Sequence, residues 1–461
     1  MIEAITKSED LDEILKKHGH PAPRYVAYPS PNLWKDSPPS GERIRRLRSV
    51  LSRGMSIDLY VHVPFCSRLC YYCGCNTEIR TQKPEYGDKY LISLRKELER
   101  INLCSEGMPR VSSVHLGGGT PTFLSENQLT SMMSLFREFL EFNPEAEFSV
   151  ETNPETVTPI QLETLRELGF SRISLGIQDF NRDTQWAINR YHPYERVRFV
   201  VETCRNLGFT SINFDLVYGL PMQNSQRFER TVEKSIALEP DRIALYHFAF
   251  LPEKMPHQKR LDAESMPHPH EKLRIFETAT SLFVSEGYLP VGMDHFSKPE
   301  DSLAEAFKCN RLKRTFMGYV AKSAKNLLGL GPGAISYLDG AYLRNSPSTI
   351  VWGNALDKGG FGQDLWHEQT DEDRTRHALI NELLCHLVIR DKELTETMGA
   401  LAQGITRELK SFARDGILKR AEDSSSWNLT RFGRPFARTV ARLFDSYKME
   451  ALDRAPCSRV A

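Results

Sequence analysis

The sequence predicts an α/β protein: a partial (β/α)6 TIM-like barrel with an N-terminal arm and a mostly helical C-terminal domain. Two observations carry this. From residue 57 onward, short β-rich runs alternate with longer helical patterns, and six such repeats imply a parallel sheet with right-handed crossovers. The unusual residues then fall directly after the strands, where parallel sheets of this kind place their active sites.

The strands expected are Ile57–Val63, Val111–Leu116, Glu147–Glu151, Arg172–Gln178, Ile212–Leu216 and Arg242–Phe248. Helical patterns lie between them near 88–103, 125–140, 159–168, 194–207 and 225–238. Cys66–Cys75 follows the first strand and Gly117–Pro121 the second. Glu151–Pro154, Gln178–Asp179 and Asp215–Pro221 follow the next three. Five special loops in register point to one mouth.

Residues 1–55 are polar and proline-rich and are expected to form an irregular arm. Residues 56–345 form the barrel, with a helix at 269–286, a strand near Tyr288–Met293 and the glycine-rich Gly329–Gly333 extending its edge. Residues 346–461 form the mostly helical domain. There, Thr406–Gly416, a hairpin of Ile417–Ala421 and Trp427–Thr430, and a helix over Arg431–Tyr447 resemble a winged helix. Fold alone does not assign such a unit to DNA, and packing or a lid role is expected instead.

Composition narrows the function. The chain has 461 residues, 40% of them hydrophobic, with Lys+Arg and Asp+Glu both at 60. At roughly 150 residues per domain, about three structural regions fit. A net charge of zero gives no general attraction to nucleic acid or membranes. No apolar run reaches the roughly 18 residues needed to span a bilayer, and the charged N-terminus lacks a signal-peptide core. A cytoplasmic location is expected. In that reducing compartment nine cysteines are not read as disulfides.

Four of the nine cluster as Cys66-x3-Cys70-x2-Cys73-x-Cys75. Three thiolates on one loop suit a [4Fe–4S] cluster and leave one iron open to a small-molecule ligand. A closed zinc site completed by Cys75 or His62 is the competing reading. The glycine triplet Gly117–Gly119 after the next strand admits close approach of a cofactor to bare backbone, although an ordinary tight turn explains it equally when taken alone.

The segments Tyr60-Val-His-Val-Pro-Phe-Cys66, Cys73-Gly-Cys75-Asn76, Gly117-Gly-Gly-Thr-Pro-Thr122, Gly176-Ile-Gln-Asp-Phe180, Asp215-Leu-Val-Tyr-Gly-Leu-Pro221 and Gly292-Met-Asp-His-Phe296 resemble the oxygen-independent coproporphyrinogen III oxidase (coproporphyrinogen III dehydrogenase) family. This is a family of the radical S-adenosylmethionine (SAM) superfamily. The resemblance extends to the tail, Cys457–Ala461. It implies a [4Fe–4S] cluster on Cys66, Cys70 and Cys73, and two SAM molecules. Tyr60, Gly118, Glu151 and Ile335 would bind the first. Tyr72, Gly119, Thr120, Gln178, Arg190, Asp215 and Ala249 would bind the second.

The implied activity is oxidative decarboxylation of coproporphyrinogen III to protoporphyrinogen IX in haem biosynthesis. A tetrapyrrole substrate, a flavodoxin or ferredoxin as electron donor, and a monomeric state come with it. Where the family has polar residues, this chain has Val26, Ala27, Met317, Val320 and Ala321. Those changes leave room for a paralogue that transfers a methyl or methylene group to another substrate. A haem carrier is the third reading, opposed by the presence of Gly74-Cys75.

Overall fold

The computed structural model describes residues 8–448, apart from 37 and 40. Its centre is six neighbouring parallel strands: β1 (Ile57–Val63), β2 (Arg110–Gly118), β3 (Glu141–Thr152), β4 (Arg172–Gln178), β5 (Ser211–Tyr218) and β6 (Arg242–His247). All six expected strands form in the expected order, and β2, β3 and β5 run further at both ends than their hydrophobic runs suggested. Helices Pro84–Asn102, Glu126–Phe139, Pro159–Glu167, Tyr194–Asn206 and Ser225–Ile236 provide the crossovers.

Side-chain alternation explains the curvature and the interior. Along each strand, residues of one parity face the helices: Leu59 and Val61 on β1, Val114 and Leu116 on β2, Leu175 and Ile177 on β4. All of these are fully buried. Residues of the other parity are polar: Asp58, Ser113, His115, Ser149, Ser174 and Asn213 line a cavity of about 550 Å³ inside the sheet. A closed barrel fills its centre with branched apolar side chains. This lumen is polar.

Local signals start the helices. Ser125 accepts the N–H of Gln128 while the Gln128 side chain accepts the N–H of Ser125, and Thr158 and Gln161 repeat the arrangement. Such reciprocal caps satisfy donors that a helix start leaves open, at roughly 0.5–2 kcal/mol each.

The sheet continues past both ends of the six strands. Asn326–Leu330 pairs in parallel with β1. Ile335–Leu338, Ala341–Asn345, Gln363–Glu368 and the short strand Lys35–Asp36 then add antiparallel. Beside β6 lie His295–Ser297 and Leu289–Val291. Thirteen strands form this sheet, and no ladder joins its two outer edges among the described residues. The barrel is therefore open, as expected.

Two expected boundaries are corrected. The arm is not irregular throughout, because Ser8–His18 and Glu42–Leu51 are helices. The second is held by Glu42 accepting from Arg46 and Arg45, and by Arg43, Leu47, Val50 and Leu51 buried against the barrel. Its charges hid its short apolar face. The barrel region also does not stop at 345, since Gln363–Glu368 returns as a strand of the same sheet.

In the C-terminal region, Ala402–Arg414 and the hairpin Leu418–Arg420/Ser426–Leu429 form, with Val388–Arg390 as a third strand. The long helix expected over Arg431–Tyr447 is instead three short turns, Arg434–Phe436, Ala437–Ala441 and Arg442–Phe444. Pro435 lacks an N–H to continue a helix, and Gly433 lies so close to the Ile417 carbonyl that an added Cβ would sit 2.0 Å from its oxygen.

The arm is clasped to this region. Tyr25 donates to Asp445 at 2.9 Å, Tyr28 accepts the Ser446 N–H at 2.9 Å, and Arg438 donates to the Ala22 carbonyl at 3.0 Å. Cys457 and the rest of the tail lie outside the described residues. Among the described residues no helix is long and apolar enough to cross a membrane.

Candidate active site

The cysteine loop leaves β1 through Phe65–Cys66, which pairs in parallel with Glu78–Ile79 and closes the intervening residues into a ring. The ring is pinned at several points. Asn189 donates to the Leu69 carbonyl at 2.8 Å, the Tyr71 N–H to the Ile188 carbonyl at 2.9 Å, and a His62 ring nitrogen meets the Asn76 carbonyl at 2.8 Å. A His257 ring nitrogen meets the Cys73 carbonyl at 2.8 Å.

The thiols face different partners. Cys66 Sγ lies 3.4 Å from Thr120 Oγ1, and Cys70 Sγ lies 3.7 Å from Arg190 Nη1. Cys73 Sγ accepts the Cys75 backbone N–H at 3.4 Å. Burial pushes the Cys66 thiol up to about 11. Cys73 is drawn below the usual thiol range, first by a thiol hydrogen bond from Cys75.

Among the described residues no three His, Cys, Asp or Glu side chains converge tightly enough for one metal ion. Thiolates on a loop with a spare position are the donor set of a [4Fe–4S] cluster.

Glu151 on β3 and Asp215 on β5 line the polar lumen. Glu151, at the end of β3, accepts the Gly118 N–H at 3.1 Å and pairs with a His115 ring nitrogen at 3.2 Å. Burial alone would raise this carboxyl, but His115 and the Gly118 N–H hold it below the usual carboxylate range. Tyr60 stacks on His115 at 6.0 Å between centroids, and its hydroxyl meets His62 Nδ1 at 2.9 Å.

The glycines are close-approach positions rather than an ordinary turn. A Cβ on Gly118 would sit 2.7 Å from the His62 ring, and one on Gly119 would sit 2.8 Å from the backbone at Pro64–Phe65. Gly118 also has φ of +108°, which disfavours any side chain.

On the neighbouring strands, Arg190 donates twice to the Gly176 carbonyl, at 3.1 and 2.6 Å. Gln178 ends β4 in a left-handed conformation, φ 67°, buried beside Gly176. A non-glycine residue holds that region at a cost of about 1 kcal/mol or more, so its neighbours fix it there. Asp215, on β5, accepts from Ser174 at 3.0 Å and Asn213 at 2.9 Å. Burial, and then the Glu151 charge, push it up to about 6.

Tyr72 packs with Ile188, Val217, Leu220 and Phe248. The Ala249 carbonyl accepts from Gln258 at 3.2 Å. Ile335 stands on the second strand beyond β1, in the aromatic cluster of Trp34, Phe316 and Tyr342.

Sequence reasoning missed His115, and read His62 only as a possible zinc ligand. The signal was the polar parity of the strands, in which His62 follows Tyr60 and His115 follows Ser113 at spacing two. The apolar departures divide. Met317, Val320 and Ala321 line the cavity, whereas Ala27 packs against Trp34 and Tyr342.

Residues 60–234 match the Radical SAM superfamily. The chain is 35% identical to the oxygen-independent coproporphyrinogen III oxidase of Pseudomonas aeruginosa, over 100% of both chains. It is 36% identical to that of Paracoccus denitrificans, covering 93% of this chain and 95% of the relative. Its fold matches the solved structure of coproporphyrinogen III oxidase from Escherichia coli, described as a radical SAM enzyme, with a TM-score of 0.84. That match has 32% identity and covers 92% of this chain and 97% of the other. A polar mouth beside a three-cysteine loop, in a chain matched end to end by these relatives, places the chain in the oxygen-independent coproporphyrinogen III oxidase family.

Proposed function

We propose that this chain converts coproporphyrinogen III to protoporphyrinogen IX without oxygen, as a step of haem biosynthesis. The observation that carries the reading is that the cysteine ring, the Glu151–His115–Gly118 cradle and the polar lumen meet at one mouth in a chain matched over its full length by this family. Each round removes one hydrogen atom and one electron from a propionate and releases its carboxyl as carbon dioxide, leaving a vinyl group. When bound, a [4Fe–4S] cluster would supply the electron that cleaves SAM, and SAM the radical that takes the hydrogen; the electron released with carbon dioxide would pass to a one-electron acceptor.

The chain's own residues hold and orient. Cys66, Cys70 and Cys73 would carry the cluster. Glu151, kept ionised by His115 and the Gly118 N–H, would accept hydrogen bonds from the first SAM, with Tyr60, Gly118 and Ile335 around it. Arg190 and Asp215 would hold charged and hydroxyl groups of a second SAM, beside Tyr72, Gly119, Thr120, Gln178 and Ala249. Charge-assisted bonds of this kind are about twice as strong as neutral ones. A flavodoxin or ferredoxin as donor, a monomeric state and a cytoplasmic location complete the reading.

The test is anaerobic reconstitution with iron and sulfide, followed by incubation with coproporphyrinogen III, SAM and dithionite. Mass spectrometry should show loss of two carboxyl groups with formation of two vinyl groups. A methylated product, or bound haem with no turnover, would overturn the reading.

A further inference from the structure

We propose that Arg314 and Arg434, with His247 and Arg24 at the rim, form a cationic pocket that receives propionate carboxylates of the substrate; the inference rests on the tetrapyrrole reading above. Arg314 stands on the short strand Lys313–Thr315 and is 7% exposed, with its guanidinium 4.9 Å over the Tyr319 ring. Its Nε and Nη1 are buried without a hydrogen-bond partner. Arg434 is 8% exposed, donates Nη2 to the Pro290 carbonyl at 3.3 Å, and leaves Nη1 buried without a partner. Both ring nitrogens of His247, at the end of β6, are also buried without partners.

Unpaired buried donors are costly, and charged ones more so. A structural role would normally supply an anion. Among the described residues, a carboxylate within electrostatic reach of Arg314 and Arg434 is Asp294, and it already pairs with His295 Nδ1 at 2.7 Å. The exposed Arg24 adds positive charge, together with Lys272. Burial, and then Lys272, Arg438 and Arg24, keep His247 neutral. The excess charge adjoins the lumen, because Tyr319 lines the cavity and lies edge-on to His295 at 4.8 Å.

Other donors near the arm are engaged elsewhere. Tyr25 and Tyr28 are spent on Asp445 and Ser446, and the Tyr319 hydroxyl donates to the Leu384 carbonyl at 2.6 Å. Guanidinium forks with free N–H groups match carboxylates in two-point geometry. The pocket therefore offers what Val26, Ala27 and Met317 do not.

Binding to the reconstituted enzyme is measured by fluorescence with coproporphyrin III, the stable oxidised tetracarboxylate, and with its tetramethyl ester. Wild type should prefer the free acid by about tenfold or more, the scale of one charge-assisted hydrogen bond. Added salt should weaken the acid and not the ester. Arg314→Gln and Arg434→Gln should each lose most of that preference and raise the KM for coproporphyrinogen III, and Arg314→Lys should regain part of it. Equal wild-type affinity for acid and ester overturns the pocket, as does loss in Arg314→Gln without recovery in Arg314→Lys. If wild type forms vinyl product while the Gln variants keep its KM and its preference, the pocket is wrong and the function stands. If wild type forms no vinyl product, the function itself is wrong.

Discussion

Arg190 Nη1 lies 3.7 Å from the Cys70 sulfur while the same guanidinium grips the Gly176 carbonyl through Nε and Nη2. One side chain thus joins the wall of the proposed second SAM site to a proposed cluster ligand. Lysine keeps the charge but not the fork. Arg190→Lys should weaken SAM uptake by about tenfold or more while iron content stays near wild type. Equilibrium dialysis against labelled SAM checks this, and unchanged uptake would contradict it.

Cys66, Cys70 and Cys73 should each be required for the cluster, and Cys75 should not. Cys75 is exposed at the rim, with its thiol directed at Cys73, and a fourth thiolate would occupy the iron that SAM needs. Serine variants at the first three positions should lose iron on anaerobic reconstitution, whereas Cys75→Ser should retain it. A full four-iron complement in Cys70→Ser would show that the ligands are misplaced.

The binding of a second SAM should depend on pH through Asp215. Its carboxyl sits at about 6 because of burial and then the Glu151 charge. Below that value it is protonated and loses its capacity to hold hydroxyl or cationic groups, so affinity should be full above pH 7 and fall about tenfold per unit below 6. Asp215→Asn should flatten the profile at the low value. Calorimetric titration across pH 5–8 reads the result, and a flat wild-type profile would remove Asp215 from the site.

Much of this was legible in the strands. The run Ile57–Val63 showed its boundaries because apolar Leu59 and Val61 face the helices, and the loops after β1 to β5 held the special residues in register. The polar parity was visible too, but it reads as a solvated face until the sheet curves it inward, and so His115 escaped notice. The arm helix Glu42–Leu51 was hidden by its charges. The break in the last helix depended on the contact between Gly433 and the Ile417 carbonyl, a neighbour that sequence spacing does not reveal. Likewise, the pairing of Tyr25 and Tyr28 with Asp445 and Ser446 joins residues some 420 positions apart, which spacing does not reveal.

Stability should depend strongly on Glu97. It is fully buried, accepts from Arg43 at 3.3 Å and Asn345 at 2.8 Å, and takes the Gly331 N–H at 2.9 Å. Removing it leaves the buried Arg43 charge uncompensated, which costs about 3–5 kcal/mol. Glu97→Ala should unfold at markedly lower urea than wild type. A loss under about 1 kcal/mol, the level of an exposed pair, would contradict the assignment.

In the proposed reaction, hydrogen leaves a propionate β-carbon. Coproporphyrinogen III deuterated at those carbons, incubated anaerobically with the reconstituted enzyme, SAM and dithionite, tests it most directly. Deuterium is expected in the 5′-deoxyadenosine released, together with vinyl groups in the porphyrinogen. Unlabelled 5′-deoxyadenosine with the propionates intact would contradict it.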